Sequence, residues 1–171
     1  VVERIVKGDK NLYSIIVERY EAKLSKYIKR FIWDIEDTSD VLQNVFTRGY
    51  VYLNSFDRDQ NFNAWIYRIA HNECINFLKK NKKFSGYSLG EMLDIESFIP
   101  FLTAKEETDK FSIDRENVEK IEKYMKDLDV KYREIITLFF FEDLSYEDIS
   151  KILQIPTSTV GVRLRRAKEK L

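Results

Sequence analysis

One cysteine, Cys74, stands in a chain of 171 residues, so no internal disulfide can form. That fits a reducing compartment such as the cytosol. One histidine, His71, leaves Cys74 three residues away without a second ligand pair, so a zinc site is not expected. Only 2 prolines and 5 glycines interrupt the chain, which favours helices joined by short connections over a sheet-rich protein. No apolar run approaches the roughly 20 residues that a membrane-spanning helix needs. The N-terminus lacks a signal-peptide pattern, and the absence of an initiator methionine suggests a trimmed chain. No glycine-rich phosphate loop is present, and the many carboxylates form no recognisable catalytic arrangement. The expectation is a chain with no catalysis of its own, no cofactor and no bound metal.

Net charge is also missing: 29 basic residues balance 29 acidic ones. A protein that merely coats DNA would be basic overall, but the distribution differs from the total. Residues 1–86 hold 15 basic and 11 acidic side chains, a net of +4. Residues 87–120 hold 4 and 9, a net of −5, and residues 121–171 hold 10 and 9, a net of +1. Within the last segment Thr157–Leu171 alone carries +4. Two basic regions therefore flank an acidic stretch. Aromatics are plentiful, with 12 Phe and 10 Tyr, enough to fill small helical cores or, where exposed, to stack on bases.

Apolar periodicity organises the chain as all-α. Leu12, Ile15, Ile16, Tyr20, Leu24, Tyr27, Ile28 and Phe31 form one stripe over about residues 11–31. A second helix spans about 36–53, with Val41, Leu42, Val45, Phe46 and Tyr50 on its buried side. Residues 54–61 form a loop rich in Asp and Asn. The clearest helix is Phe62–Lys80, where Phe62, Trp65, Ile66, Ile69, Ala70, Cys74, Phe77 and Leu78 recur every three to four residues. Three such helices can close one small bundle. From about residue 84 the period is lost, Gly86, Gly90 and Pro100 punctuate the chain, and acids dominate, which reads as a linker. Helices are then expected over 116–126, 130–141, 145–153 and 157–170. The boundaries are thus 1–86 for a first helical domain, 87–113 for the linker and 114–171 for a second helical domain.

The end of the chain carries the strongest local signal. Ser145, Tyr146, Ile149, Ile152 and Leu153 suit a short one-faced helix, with Ser145 and Asp148 placed as in a capping box. Pro156 stops it, and disfavours helix at Ile155 before it. A basic helix begins at Thr157. Two short helices, a tight corner and a basic second helix read as a helix-turn-helix, whose second helix fits the major groove of duplex DNA. Thr159, Arg163 and Arg166 fall on one side of that helix, while Val160, Leu164 and Ala167 face the core.

Four ordered blocks extend this reading. They are Asp40-Val41-Leu42-Gln43-Asn44-Val45-Phe46, then Ser55-Phe56-Asp57 with Phe62 to Asn72, then Tyr132 to Ile136 with Leu144 to Ile149, and finally Pro156 to Lys168. Together they resemble the group 4 (extracytoplasmic function) sigma factors, the two-domain initiation subunits of bacterial RNA polymerase. The resemblance covers nearly the whole chain. It implies a first domain that binds core polymerase and the −10 element, a linker in place of region 3, and a second domain that binds the −35 element. The implied function is to direct core polymerase to promoters and to aid promoter melting.

Site residues follow from the same resemblance. Thr157, Ser158, Thr159, Arg163 and Arg166 should face the −35 duplex. Asp57 and Asn61 in the loop, with Asn63, Arg68, His71, Asn72, Lys79 and Lys80 on the helix after it, should engage the −10 element and a base flipped from the non-template strand. Their chemistry suits that role, since the asparagines offer paired donors and acceptors and the cations can meet phosphates. Lys82 and Lys83 extend that basic stripe. Asp37, Asp40, Gln43 and Asn44 should dock on the clamp of the largest catalytic subunit. Trp65 and Cys74 read as core. Three positions depart from the family pattern, one of them Val162, where Ser or another small polar residue is usual. Asn44 stands where Glu is usual, which removes one charge. Gly161 stands where Lys or Arg is usual, which removes a phosphate contact or lets the backbone approach DNA closely. Most family members are held inactive by an anti-sigma protein, often membrane-anchored, so such a partner is an expectation. It would place the chain in the cytoplasm, at the inner face of the membrane when so held. Glu91, Asp94 and Glu96 in the linker could mimic nucleic-acid charge near the RNA exit path, or simply solvate a tether. Two readings compete with a sigma factor: a helix-turn-helix regulator whose N-terminal helices sense a ligand or dimerise, and a helical adaptor that binds only protein.

Overall fold

The computed structural model describes residues 1–81, 125 and 127–170. The expected linker with its acids, Lys82 and Lys83, and the expected helix over 116–126 lie outside these residues, save Met125, which is helical and buried. The described chain is all-α. Backbone contacts divide it into two compact units, one holding residues 1–81 and 147–155 and the other 127–146 and 156–170.

In the first unit, α1 (Val2–Val6) is followed by α2 (Tyr13–Lys29), α3 (Ile35–Tyr52) and α4 (Phe62–Lys80). The last three pack on one another. Their core holds Leu24, Tyr27, Ile28, Val41, Val45, Ile66, Tyr67, Ala70 and Cys74. Tyr27 meets Tyr67 edge-on, with ring centroids 5.3 Å apart, so aromatic packing joins α2 to α4. The turn into α3 is closed twice. Thr38 Oγ1 donates to the Ile32 carbonyl at 3.0 Å, and Asp34 Oδ1 accepts the Asp37 N–H at 3.0 Å as an N-cap.

Three details depart from the periodicity. The expected buried residue Tyr50 is exposed, at 39%, and Gly49 is buried in its stead. Tyr13 explains the exchange: its hydroxyl donates to the Phe46 carbonyl at 2.6 Å, and a Cβ at Gly49 would come within 2.8 Å of that oxygen. Ile15 is likewise exposed. Helix α1 was absent from the sequence-based expectation, because five residues are too few to show a period.

In the second unit, α5 (Val130–Ile136) runs into a π-helical segment, Thr137–Phe141, where a plain helix over 130–141 was expected. Glu142 N–H reaches the Thr137 carbonyl at 3.1 Å, five residues back. Thr137 Oγ1 donates to the Arg133 carbonyl at 2.8 Å, and the buried Arg133 sends Nη2 to the Leu128 carbonyl at 2.8 Å. Burial holds the Arg133 guanidinium pKa below its ordinary value, with Asp127 and Asp129 opposing that shift. The last helices are α6 (Tyr146–Leu153), which from residue 147 groups with the first unit, and α7 (Thr157–Lys170), which groups with the second. Helix α7 packs against α5 through a buried stripe of Val160, Leu164 and Ala167.

Candidate nucleic-acid and polymerase interface

The corner between α6 and α7 is made by local chemistry. Gln154 adopts the left-handed region with φ 55, the usual way to end a helix, although a side chain there is disfavoured. Ser150 ties the corner shut: its backbone carbonyl accepts the Ile155 N–H at 3.2 Å, and its Oγ donates to the Ile155 carbonyl at 2.6 Å. Pro156 then supplies the carbonyl that accepts the Val160 N–H at 3.1 Å, starting α7. The sequence pattern located the break at Pro156 but not the clasp at Ser150, since a serine on the polar side of a short helix carries no period.

On α7, Thr157, Ser158 and Arg166 are exposed, and Thr159 and Arg163 are half-buried. At about 100° per residue, Thr159, Arg163 and Arg166 lie within one sector that flanks the buried stripe, about 100° round the helix from its centre. Thr157 and Ser158 sit in the first turn, off that sector. Gly161 is buried, on the same side as Val160 and Leu164. The position therefore faces away from the Thr159–Arg163–Arg166 sector, and close backbone approach to DNA is not what the glycine provides. The remaining cations of α7 serve the protein. Lys168 Nζ lies 5.5 Å from the Phe140 ring centroid, and Lys170 Nζ lies 5.5 Å from that of Tyr132, which Lys131 also approaches. Arg165 is 3.8 Å from Glu169.

In the first unit the loop before α4 is ordered by two of the expected site residues themselves. Asp57 accepts from the Asp59 N–H at 3.1 Å and from Gln60 Nε2 at 3.2 Å. Asn61 is the N-cap of α4, its Oδ1 accepting the Asn63 N–H at 2.9 Å. That carbonyl oxygen is thereby engaged in starting the helix, a use that the sequence pattern does not reveal. Arg68, Asn72 and Lys79 are exposed and fall, with the exposed Asn76, along a single stripe of α4. The other expected residues are not on that stripe. Asn63 lies on the packed side, half-buried, with its Oδ1 buried and without a hydrogen-bond partner among the described residues. His71 is half-buried at the stripe's flank, and Lys80 is exposed on another side.

On α3, Asp40, Gln43 and Asn44 are exposed and share a face with Thr47, while Asp37 is half-buried one turn earlier. Next to this face, Arg48 Nε forms a 2.8 Å ion pair with Oε1 of Glu73, a buried residue of α4. Neither the buried carboxylate nor the buried Tyr67 was legible as core from periodicity. Trp65 is half-buried in a ring cluster, 5.1 Å from Phe56 and 5.2 Å from Phe62, and Cys74 is buried. Among the described residues no three His, Cys, Asp or Glu side chains gather as a metal site requires, and no helix is long and apolar enough to cross a membrane.

Residues 16–84 match the family model for sigma-70 region 2, and residues 119–171 match that for sigma-70 region 4. The chain is 34% identical to the RNA polymerase sigma-H factor of Pseudomonas aeruginosa, over 99% of this chain and 89% of that protein. It is 30% identical to the ECF RNA polymerase sigma factor SigW of Bacillus subtilis, over 99% of this chain and 92% of that one. Its fold is similar to that of the sigma factor RpoE of Bartonella quintana, solved with the anti-sigma factor NepR. That match has a TM-score of 0.66 at 20% identity and covers 92% of each chain.

Proposed function

The chain belongs to the extracytoplasmic-function (group 4) sigma factors of the sigma-70 family, and from that premise we propose how its surfaces divide the work. As a sigma factor it binds RNA polymerase and directs promoter recognition, and it is not an enzyme. The polymerase supplies the chemistry of RNA synthesis.

Helix α7 enters the major groove of the −35 element. Thr159, Arg163 and Arg166 carry the reading, and Thr157 and Ser158 hold phosphates at the helix start. The observation that supports this best is the grouping of those three side chains in one sector beside, and not within, the buried stripe of Val160, Leu164 and Ala167. The loop Asp57–Asn61 and the Arg68–Asn72–Lys79 stripe of α4 engage the −10 element and the strand released on melting, with His71, Asn63 and Lys80 at their edges. Asp40, Gln43 and Asn44, with Asp37 beside them, dock on the clamp of the largest catalytic subunit. The first domain is residues 1–86, the linker 87–113 and the second domain 114–171. An anti-sigma protein covers these surfaces when the factor is silent. The protein works in the cytoplasm, at the inner membrane face when such a partner is anchored there. Nothing on the described surface favours the ligand-sensing regulator, and the family match sets it aside.

Transcription in vitro with core enzyme over a randomised promoter library tests the division. Separate enrichment at the −10 and −35 positions is the expected result. Enrichment at neither, with core enzyme bound, would remove the DNA assignments and leave only docking.

A further inference from the structure

Helix α1 lies ahead of the segment matched by the region 2 model, which begins at residue 16. Yet it is built into the base of the loop that precedes α4. Ile5 is buried in a cluster with Ile16 and Leu53, and Val2, Val6, Tyr20, Phe62 and Trp65 pack around it. Leu53 opens the short 3-10 turn, Leu53–Ser55, that leads into the loop, and Phe62 begins the helix that follows it. Both ends of the loop are therefore seated on the cluster that Ile5 completes. Phe56, the last residue before the loop proper, rests its ring on Phe62 at 5.3 Å and on Trp65 at 5.1 Å. A polar tie reaches the loop itself: Glu3 Oε1 lies 3.7 Å from Arg58 Nη1 and takes a hydrogen bond from Lys7 Nζ at 2.8 Å. Both cations hold the Glu3 carboxyl below its usual pKa, Lys7 more strongly.

The hydrogen bonds within the loop, from Asp57 and Asn61, fix its shape but not its direction. Direction comes from its two seats and from the 3.3 Å hydrogen bond that Asn61 Nδ2 donates to Asp148 Oδ2. An open cavity of about 400 Å³ lies between α1 and the loop's base, lined by Val2 and Glu3 of α1 and by Tyr20, Phe56, Arg58 and Phe62 among others. The Ile5 seat and the Glu3–Arg58 pair are therefore what joins α1 to the loop across this gap.

We propose that α1 is a positioning element for −10 recognition: Ile5 and Glu3 set the direction of the Asp57–Asn61 loop and so determine how sharply the factor discriminates among −10 sequences. They do so without touching DNA or polymerase. The proposal rests on the assignment of that loop to the −10 element.

The test uses the full chain with core polymerase. Three quantities are measured for Ile5→Ala, Ile5→Val and Glu3→Gln: initiation on a cognate promoter relative to one with a substituted −10 base, affinity for core enzyme, and affinity for an isolated −35 duplex. Ile5→Ala should lower the −10 discrimination ratio about tenfold, because small misplacements of contact groups are costly. Ile5→Val should restore most of the ratio, and Glu3→Gln should lower it about twofold, the scale of one exposed pair. Core and −35 affinities should stay within about twofold for all three, as for sites that do not couple. An unchanged ratio in folded Ile5→Ala protein overturns the proposal, and so does a parallel fall of all three quantities, which marks a folding defect. If Ile5→Ala does not fold, unchanged ratios in Ile5→Val and Glu3→Gln overturn it. A separate variant, Asn61→Ala, checks the premise. If it leaves −10 discrimination intact, the loop assignment itself has failed; if it abolishes discrimination while the α1 variants do not, only the role of α1 has.

Discussion

Helices α4 and α7 spend their cations differently. On α4, Arg68 and Lys79 stand exposed on one stripe with Asn72 and Asn76, over three turns of helix. On α7, Lys168 and Lys170 lie over the rings of Phe140 and Tyr132, and Arg165 stands beside Glu169. Only Arg163 and Arg166 share the sector of Thr159. The net charge of +4 over Thr157–Leu171 therefore overstates what that helix offers DNA. A long, dilute stripe suits a strand backbone followed over several nucleotides, where affinity comes from phosphates. A compact sector with two guanidinium groups suits a few base edges in a groove. Charge counted along a sequence does not separate these uses; the neighbouring rings do.

The largest expected effect tests whether the units can be perturbed one at a time. Gly49→Ala brings a methyl against the Tyr13 hydroxyl, at 2.8 Å, and the Ile66 Cδ1, at 3.2 Å. The hydroxyl is held by its bond to the Phe46 carbonyl, so it cannot swing away without losing that bond. Overpacking of this kind costs about 1–3 kcal/mol. Both tryptophans of the chain, Trp33 and Trp65, lie in the first unit, so their fluorescence reports its unfolding. The midpoint should fall on denaturation while −35 duplex affinity at low temperature stays unchanged. Loss of −35 affinity in step with the fluorescence would show that the units do not act separately, and the comparison would break.

Arg163→Ala sharpens the contrast next. It should cost about 1–3 kcal/mol on the −35 duplex and relax preference at one base position. Core polymerase affinity should be unaffected. Fluorescence anisotropy on duplexes substituted one base at a time makes the measurement. A uniform loss across all duplexes would reassign Arg163 to phosphate contact.

How much of this was legible in the sequence depends on the residue. Helix α4 was read to its ends, Phe62 and Lys80, because nineteen residues give several turns of one period and Asn61 caps the start. Helix α7 was read equally well, since Pro156 marks its entrance. Tyr50 and Gly49 were exchanged because a glycine carries no hydrophobic signal, and only the hydroxyl of Tyr13, 36 residues away in sequence, explains why it is inside. Glu73 was invisible as a buried residue for the same reason: its partner Arg48 lies on another helix. The π-helical turn at Thr137–Phe141 hides in a run of aromatics that fits any helical period. On the candidate site, the pattern placed Thr159, Arg163 and Arg166 together correctly in helical terms. It grouped Asn63 with Arg68, although the first faces the packed side and the second is exposed.

Arg68→Ala and Lys79→Ala should each act more weakly than Arg163→Ala and without regard to sequence. Each should reduce the slope of log affinity against log salt for a single-stranded −10 oligonucleotide by about 1. Preference among −10 sequences should persist. A change of preference in either variant would mean that α4 reads bases along its stripe, and the division between a backbone-following helix and a base-reading helix would dissolve.

The smallest effect concerns Tyr13 in alkali. Its hydroxyl donates to the Phe46 carbonyl at 2.6 Å, and burial pushes its pKa from 10.0 up to about 12. The folded state thus prefers the protonated phenol more than the unfolded chain does. The associated stability is fully present below about pH 10, the unfolded value, and is lost as pH rises through about 12. Tyr20, whose pKa burial also raises, contributes in the same direction. Tryptophan-monitored unfolding between these pH values should show the first unit weakening as alkali is added, and Tyr13→Phe should flatten that decline without abolishing it. At neutral pH the same variant should lose about 0.5–1.5 kcal/mol, the net worth of one hydrogen bond. An undiminished alkaline decline in Tyr13→Phe would mean that the close approach of α2 to Gly49 does not depend on a protonated Tyr13. The contact that sets the geometry of the first unit would then be steric alone.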